Sequence, residues 1–87
     1  MKDVLMMIMT GCPHCHHAKE IMDELCMQHP EFRSVKIKIV DETREPEFAA
    51  KLDYYYVPTF FVNGEKIHEG VPSEDAIMQV YRKALDE

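Results

Sequence analysis

Positive charge is in short supply: ten Lys and Arg stand against sixteen Asp and Glu, for a formal net charge of −6. A nucleic-acid backbone or an anionic membrane surface is thereby excluded as the main partner, because both attract basic surfaces. Cysteine is sparse too. Three cysteines in 87 residues read as reactive or metal-binding thiols rather than as a structural disulfide framework. No apolar run approaches the ~20 residues of a membrane-spanning helix. Met1-Lys2-Asp3 runs straight into Val4-Leu5-Met6-Met7-Ile8-Met9, too short for a signal-peptide core and without a small-residue cleavage pattern behind it. Repeats, linkers and low-complexity segments are absent. What is left is a globular composition, 46% apolar and 30% charged, in a cytoplasmic chain whose residues 1–87 make a single domain.

Strand and helix patterns alternate along that domain. Val4 to Met9 is a continuous apolar run of strand length, as expected of a strand buried on both faces, with Met6, Met7 and Met9 as adaptable core filler. Ala18, Ile21, Met22, Leu25 and Cys26 then recur at helical spacing, and Pro30 ends that helix. In Ser34–Val40, Val35, Ile37 and Ile39 point one way and Lys36 and Lys38 the other, the pattern of a half-exposed strand. Pro46, Phe48, Ala49 and Leu52 suggest a short helix. Thr59-Phe60-Phe61-Val62 reads as a third strand, and Asn63-Gly64 predicts a hairpin into a fourth over Lys66–Glu69. After Gly70-Val71-Pro72, Ser73 caps a last helix with Ala76, Ile77, Val80, Tyr81 and Leu85 on its apolar face. The order is βαβαββα, and its first half demands a parallel crossover.

The chemistry concentrates in Thr10-Gly11-Cys12-Pro13-His14-Cys15-His16-His17, where the first strand meets the first helix. Two cysteines at this spacing can close and reopen a small disulfide ring, or supply half of a metal site. Zinc needs four ligands, usually with a second pair downstream; the later candidates Cys26, His29 and His68 have no paired spacing. Cys12 falls where unpaired backbone N–H groups and the helix dipole favour an anionic sulfur. Pro13 fits the first helical turn, where an N–H would have no helical partner. His14, inside the ring, is expected to add positive charge or a hydrogen bond to that sulfur. His16 and His17 read as solvated helix residues, and Cys26 as a small core residue.

Cys-Pro-His-Cys after a first strand, with Val57-Pro58-Thr59 before a hairpin and a terminal helix, resembles the thioredoxin fold. The short opening and the Cys12–Leu25 helix are similar to glutaredoxins. From Pro58 onward, Pro-Thr-Phe-Phe-Val-Asn-Gly-Glu and Gly70-Val71-Pro72-Ser73 look more like thioredoxin. The resemblance covers essentially the whole chain. It implies an α/β thioredoxin fold, a four-stranded mixed sheet flanked by three helices. It implies a dithiol–disulfide oxidoreductase whose redox-active disulfide is Cys12–Cys15, with Pro13 and His14 tuning the pair. Gly11, Tyr56, Val57, Pro58, Thr59 and Gly70 are the implied substrate-binding residues, with a cis peptide bond before Pro58.

No bound cofactor and no metal are expected. The partners are disulfide-containing proteins, with glutathione (as co-substrate) or a thioredoxin-type reductase as electron donor, and the chain is expected to act as a monomer. Glutaredoxins hold glutathione with a Gly-Gly pair where Gly70 here stands alone, although Lys51 is a candidate replacement contact. The buried acid that thioredoxins carry on the first strand is replaced by Met6 and Met7. Pro-His between the cysteines also occurs in periplasmic thiol oxidants of this fold, so a poise more oxidising than that of a Gly-Pro thioredoxin is expected. The alternative is a thioredoxin-like binding module, for metal or Fe–S delivery or partner recognition, with the pair idle.

Overall fold

The computed structural model of the chain describes residues 1–86. Strand β1 (Val4–Ile8) enters helix α1 (Pro13–Gln28) through a short loop, and a 3-10 turn over Pro30–Ser34 leads to β2 (Ile37–Asp41). Helix α2 (Pro46–Ala50), the hairpin strands β3 (Thr59–Val62) and β4 (Glu65–Glu69), and helix α3 (Glu74–Leu85) complete the βαβαββα order. The sheet runs β2-β1-β3-β4. β1 pairs parallel with β2 and antiparallel with β3, and β3 pairs antiparallel with β4. This is the four-stranded mixed sheet of a thioredoxin fold, with three helices packed on it.

Period-2 alternation divides the sheet's side chains between two cores. Val4 and Met6 of β1 and Phe60 and Val62 of β3 face α1 and α3, meeting Ala18, Ile21, Leu25, Ile77, Val80 and Ala84. Met7, Val40 and Phe61 face the other way and pack against Phe48, Ala49 and Leu52 around α2. Phe32 of the 3-10 turn stacks on Tyr81 of α3, with ring centroids 4.7 Å apart. Ser73 caps α3 as expected, its hydroxyl accepting the Ala76 N–H at 3.1 Å. Asn63 and Gly64 both have positive φ, 49° and 83°, the backbone that a two-residue hairpin turn matched to strand twist requires.

Two elements differ from the sequence pattern. β1 stops at Ile8, and Met9 is 38% exposed. The Ile8 carbonyl accepts the Glu42 N–H, and the chain turns at once, Cys12 N–H donating to Met9 O at 3.3 Å. At β2 both lysines, Lys36 and Lys38, are exposed, as the alternation suggests, but their face also carries Val40, buried against Met7, and Lys38 lies over the Phe48 ring at 5.2 Å. Ile39 on the opposite face is 43% exposed, on a strand at the edge of the sheet.

Candidate active site

Cys12 is the N-cap of α1, and its extended backbone (φ −89°, ψ 111°) turns the chain into the helix. Gly11, at φ 75°, makes the tight approach, a conformation that a side chain would strain. Pro13 occupies the first turn, as expected. Cys12 Sγ accepts the Cys15 N–H at 3.2 Å, so one of the orphan donors of the helix start points at sulfur, where it stabilises negative charge. Both thiols are free, Cys12 half-buried and Cys15 only 3% exposed. Burial, and then the adjacent Cys12 side chain, push the Cys15 thiol from 9.0 up to about 12. The pair is therefore asymmetric: an accessible sulfur with a hydrogen-bond donor, and a buried sulfur held as the thiol. An open cleft of about 480 Å³ beside Cys12 is lined by Met9, Gly11, Cys15, His16 and Lys19 among others.

His14 is exposed, and among the described residues it makes no hydrogen bond to Cys12; the bond expected from it comes from the Cys15 backbone instead. His16 and His17 are solvent-facing, each about 4 Å from Glu20 (4.0 and 3.9 Å), contacts worth little at such exposure. Cys26 is half-buried with its Sγ 3.5 Å from the Tyr81 hydroxyl. It lies eleven residues beyond Cys15 on the same helix, roughly 16 Å along the axis, which is out of reach of the pair. Among the described residues no group of three or more His, Cys, Asp or Glu is placed to hold a metal ion.

Strand register brings the second half of the motif to the same end of the sheet. Thr59 pairs with Met7, near the end of β1, and with Glu69 of β4. The Val57–Pro58 peptide is cis, and Gly70 (φ 95°) donates its N–H to Pro58 O at 2.9 Å. Gly70 also lies against Tyr56, whose Cβ is 3.9 Å from where a side chain on Gly70 would begin. Pro58 and Thr59 are fully buried, and the Thr59 hydroxyl donates to Tyr56 O. Of the residues expected to bind substrate, these two are covered, while Gly11, Tyr56, Val57 and Gly70 remain accessible. Among the described residues the N–H and C=O of Val57 make no hydrogen bond. The tyrosine run divides: Tyr54 packs on Phe61 and donates to Glu42 at 2.7 Å, whereas Tyr55 and Tyr56 are 85% and 70% exposed. Lys51 lies on a separate cleft with Arg44, which shares no lining residue with the cysteine cleft.

Two acidic residues at this end are not singled out by the sequence pattern. Asp41, at the end of β2, accepts hydrogen bonds from the hydroxyls of Thr10 and Thr43 and from the Thr43 N–H, tying the loop before Cys12 to the next strand. The Thr10 and Thr43 bonds lower its carboxyl from 3.8 to about 2. Glu69 pairs with Lys66 at 2.8 Å and accepts the N–H groups of Tyr55 and Tyr56. Lys66 and then those two amides lower it from 4.5 to about 2. The signal for Asp41 is positional, an acid closing the parallel strand next to the cysteine loop. For Glu69 a strict alternation puts Lys66 on the opposite face, so the pair is not legible.

These shifts predict a pH window for stability. Asp41 and Glu69 bind protons less tightly in the folded chain than in the unfolded one. Their contribution is complete above about 4.5 and is lost as pH falls toward about 2. Cys15 binds its proton more tightly when folded. Its contribution is complete below 9.0 and is lost as pH rises toward about 12. Urea midpoints of the reduced protein, measured across the acid and alkaline ranges, should form a plateau with both limbs falling. A flat acid limb would contradict the carboxylate geometry.

A mixed sheet of this order, with a Cys-x-x-Cys at the N-terminus of the first helix and a cis proline facing it across β1 and β3, defines the thioredoxin class of fold and site. The thioredoxin domain family matches residues 2–82, and the chain belongs to it. It is 28% identical over 74 residues, 85% of each chain, to a thioredoxin of Methanocaldococcus jannaschii. In structure it is similar to a mutant thioredoxin from Halobacterium salinarum. That match has TM-score 0.70 and 19% identity, and covers 99% of this chain and 76% of the other. It is also similar to a desulfothioredoxin from Desulfovibrio vulgaris, with TM-score 0.67, 22% identity and coverage of 94% and 80%. Fold, family and cysteine pair together support thiol–disulfide exchange as the chemistry. No helix among the described residues is long and apolar enough to cross a membrane.

Proposed function

We propose that the protein is a cytoplasmic dithiol–disulfide oxidoreductase that reduces disulfides in extended segments of other proteins. The observation that carries this reading is the asymmetry of the pair: Cys12 at the helix start accepts an N–H, and Cys15 is buried one turn in. The Cys12 thiolate attacks one sulfur of the substrate disulfide. A Cys12–substrate bond forms, the substrate S–S bond breaks, and the departing sulfur takes a proton. Cys15 then attacks Cys12 Sγ, giving up its proton to the second leaving sulfur and closing the Cys12–Cys15 disulfide. Two electrons pass to the substrate. Keeping Cys15 protonated until Cys12 is engaged suits that order, because only a thiolate is a competent nucleophile. The unpaired backbone of Val57 supports main-chain pairing with a strand-like substrate.

The far half of the site supports a choice of electron donor. Gly70 is followed by Val71 and Pro72, and Lys51 opens on another cleft, an arrangement that favours a donor other than glutathione. A flavoprotein reductase of the thioredoxin type is the favoured donor. Insulin reduction driven by such a reductase with NADPH should exceed that driven by glutathione at least several-fold. A faster glutathione reaction would reassign the donor, and no turnover with either, or with dithiothreitol, would remove the enzyme reading. In a glutathione redox buffer the Pro13-His14 pair should give a potential above roughly −270 mV; a value at or below it would remove the proposed poise.

A further inference from the structure

Lys66 and Glu69 are three residues apart on β4, a spacing that places side chains on opposite faces of a regular strand. The register of the hairpin shows why they meet. Phe60 faces His68 while Phe61 faces Lys66, so Ile67 is an extra residue and the strand bulges there. The bulge resets the alternation, and Lys66 (opposite Phe61) and Glu69 (opposite Thr59) come to the same face. There the carboxylate takes three donors: the N–H groups of Tyr55 and Tyr56, and Lys66 Nζ at 2.8 Å. Lys66 Nζ also donates to Asp53 O at 3.3 Å. Residues 53–56 have no strand or helix to satisfy their backbone. Glu69 and Lys66 supply those bonds from β4, and the Thr59 hydroxyl adds one to Tyr56 O.

We propose that Lys66 and Glu69 form a positioning pair that holds the Tyr55–Tyr56 segment, and with it the Val57 backbone, in the shape that accepts a polypeptide substrate. This rests on the oxidoreductase reading above and adds selectivity to it. A protein disulfide must lie against Val57 as well as reach Cys12, and a segment ordered in advance removes that entropy from the cost of binding. A small disulfide needs only Cys12. The cleft beside Cys12 is lined by Ile8 of β1, the β1–α1 loop and α1 and by none from 53–57, so small disulfides should enter independently of Lys66 and Glu69. Charge-assisted bonds to a partly shielded carboxylate are the strong kind, which is what a fixed loop on the surface requires.

The test compares Glu69→Ala, Glu69→Gln and wild type on insulin, with dithiothreitol as reductant, and on 5,5′-dithiobis(2-nitrobenzoate), with pre-reduced protein freed of reductant and the release of thionitrobenzoate followed over a single turnover. Glu69→Ala removes all three bonds to the carboxylate and should raise KM for insulin about tenfold, water replacing part of what they supply. Its kcat and its rate on the small disulfide should stay within about twofold of wild type on the same reasoning. Glu69→Gln keeps one acceptor and should fall between. Backbone amide resonances of Tyr55 and Tyr56 should move in both variants while those around Cys12 stay in place. If Glu69→Ala fails to fold, Lys66→Met, which leaves the carboxylate, carries the same comparison. An unchanged insulin KM, or equal losses on both substrates, would overturn the proposal. Wild-type protein inactive on both substrates would instead overturn the oxidoreductase reading itself.

Discussion

Cys12→Ser should abolish disulfide turnover and leave the fold intact. Serine is among the best N-cap residues, so its hydroxyl can take over the hydrogen bond that Cys12 Sγ accepts from the Cys15 N–H. The helix start is preserved, and the urea midpoint should shift little. The chemistry is not preserved, because a hydroxyl is essentially un-ionised at neutral pH and attacks a disulfide poorly even when ionised. Insulin reduction should fall at least about a thousandfold, to the uncatalysed background set by dithiothreitol. Loss of activity without loss of stability separates a reacting thiol from a structural one. Retained activity would mean that Cys12 is not the reacting thiol and would sink the reading of the pair as the redox centre.

Cys15→Ser has a different consequence. The first exchange needs only Cys12, which stays half-buried with its N–H donor. The second exchange needs a sulfur one turn inside the helix, and Cys15, 3% exposed, supplies it. Cys26 cannot replace it: its Sγ rests against Tyr81, roughly 16 Å along α1. Turnover should therefore stop after one attack, with substrate held on Cys12 until an external thiol releases it. Single-turnover kinetics should show the fast release of one substrate thiol and no second phase. A second phase at the wild-type rate would show that Cys15 is not the resolving thiol.

The same contrast explains how much is legible in the sequence. Periodicity and turn chemistry are local, and so β1, α1, the Asn63-Gly64 hairpin and the Ser73 cap can be read from it. Cys12, Pro13 and Cys15 are near neighbours in sequence, and their roles follow from the helix start. What escapes depends on contacts across the sheet. Alternation at β2 puts Lys36 and Lys38 at the surface, where they are, but does not show that Val40 on the same face is buried in the core around α2. Met9 belongs to the turn because Glu42 closes the end of β1. Thr59 looks like a surface residue of the binding motif; its hydroxyl bonds the Tyr56 carbonyl and its side chain is covered. Glu69 is hidden by a bulge at Ile67, which a single sequence does not announce. An apolar trough of about 600 Å³, larger than the cysteine cleft, is also remote from the chemistry. It is flanked by Phe48, Leu52 and Phe61 at the Asn63-Gly64 end of the sheet.

Cys12 as the attacking thiol and Cys15 as the one that resolves it are the heart of the proposed mechanism. Intact-mass measurement and peptide mapping of Cys15→Ser, incubated with an equimolar disulfide-bonded peptide, put both assignments to the test at once. One covalent adduct per chain is expected, carried on Cys12, with Cys26 unmodified and the adduct released by dithiothreitol. An adduct on Cys26, or no adduct at all, would refute the assignment.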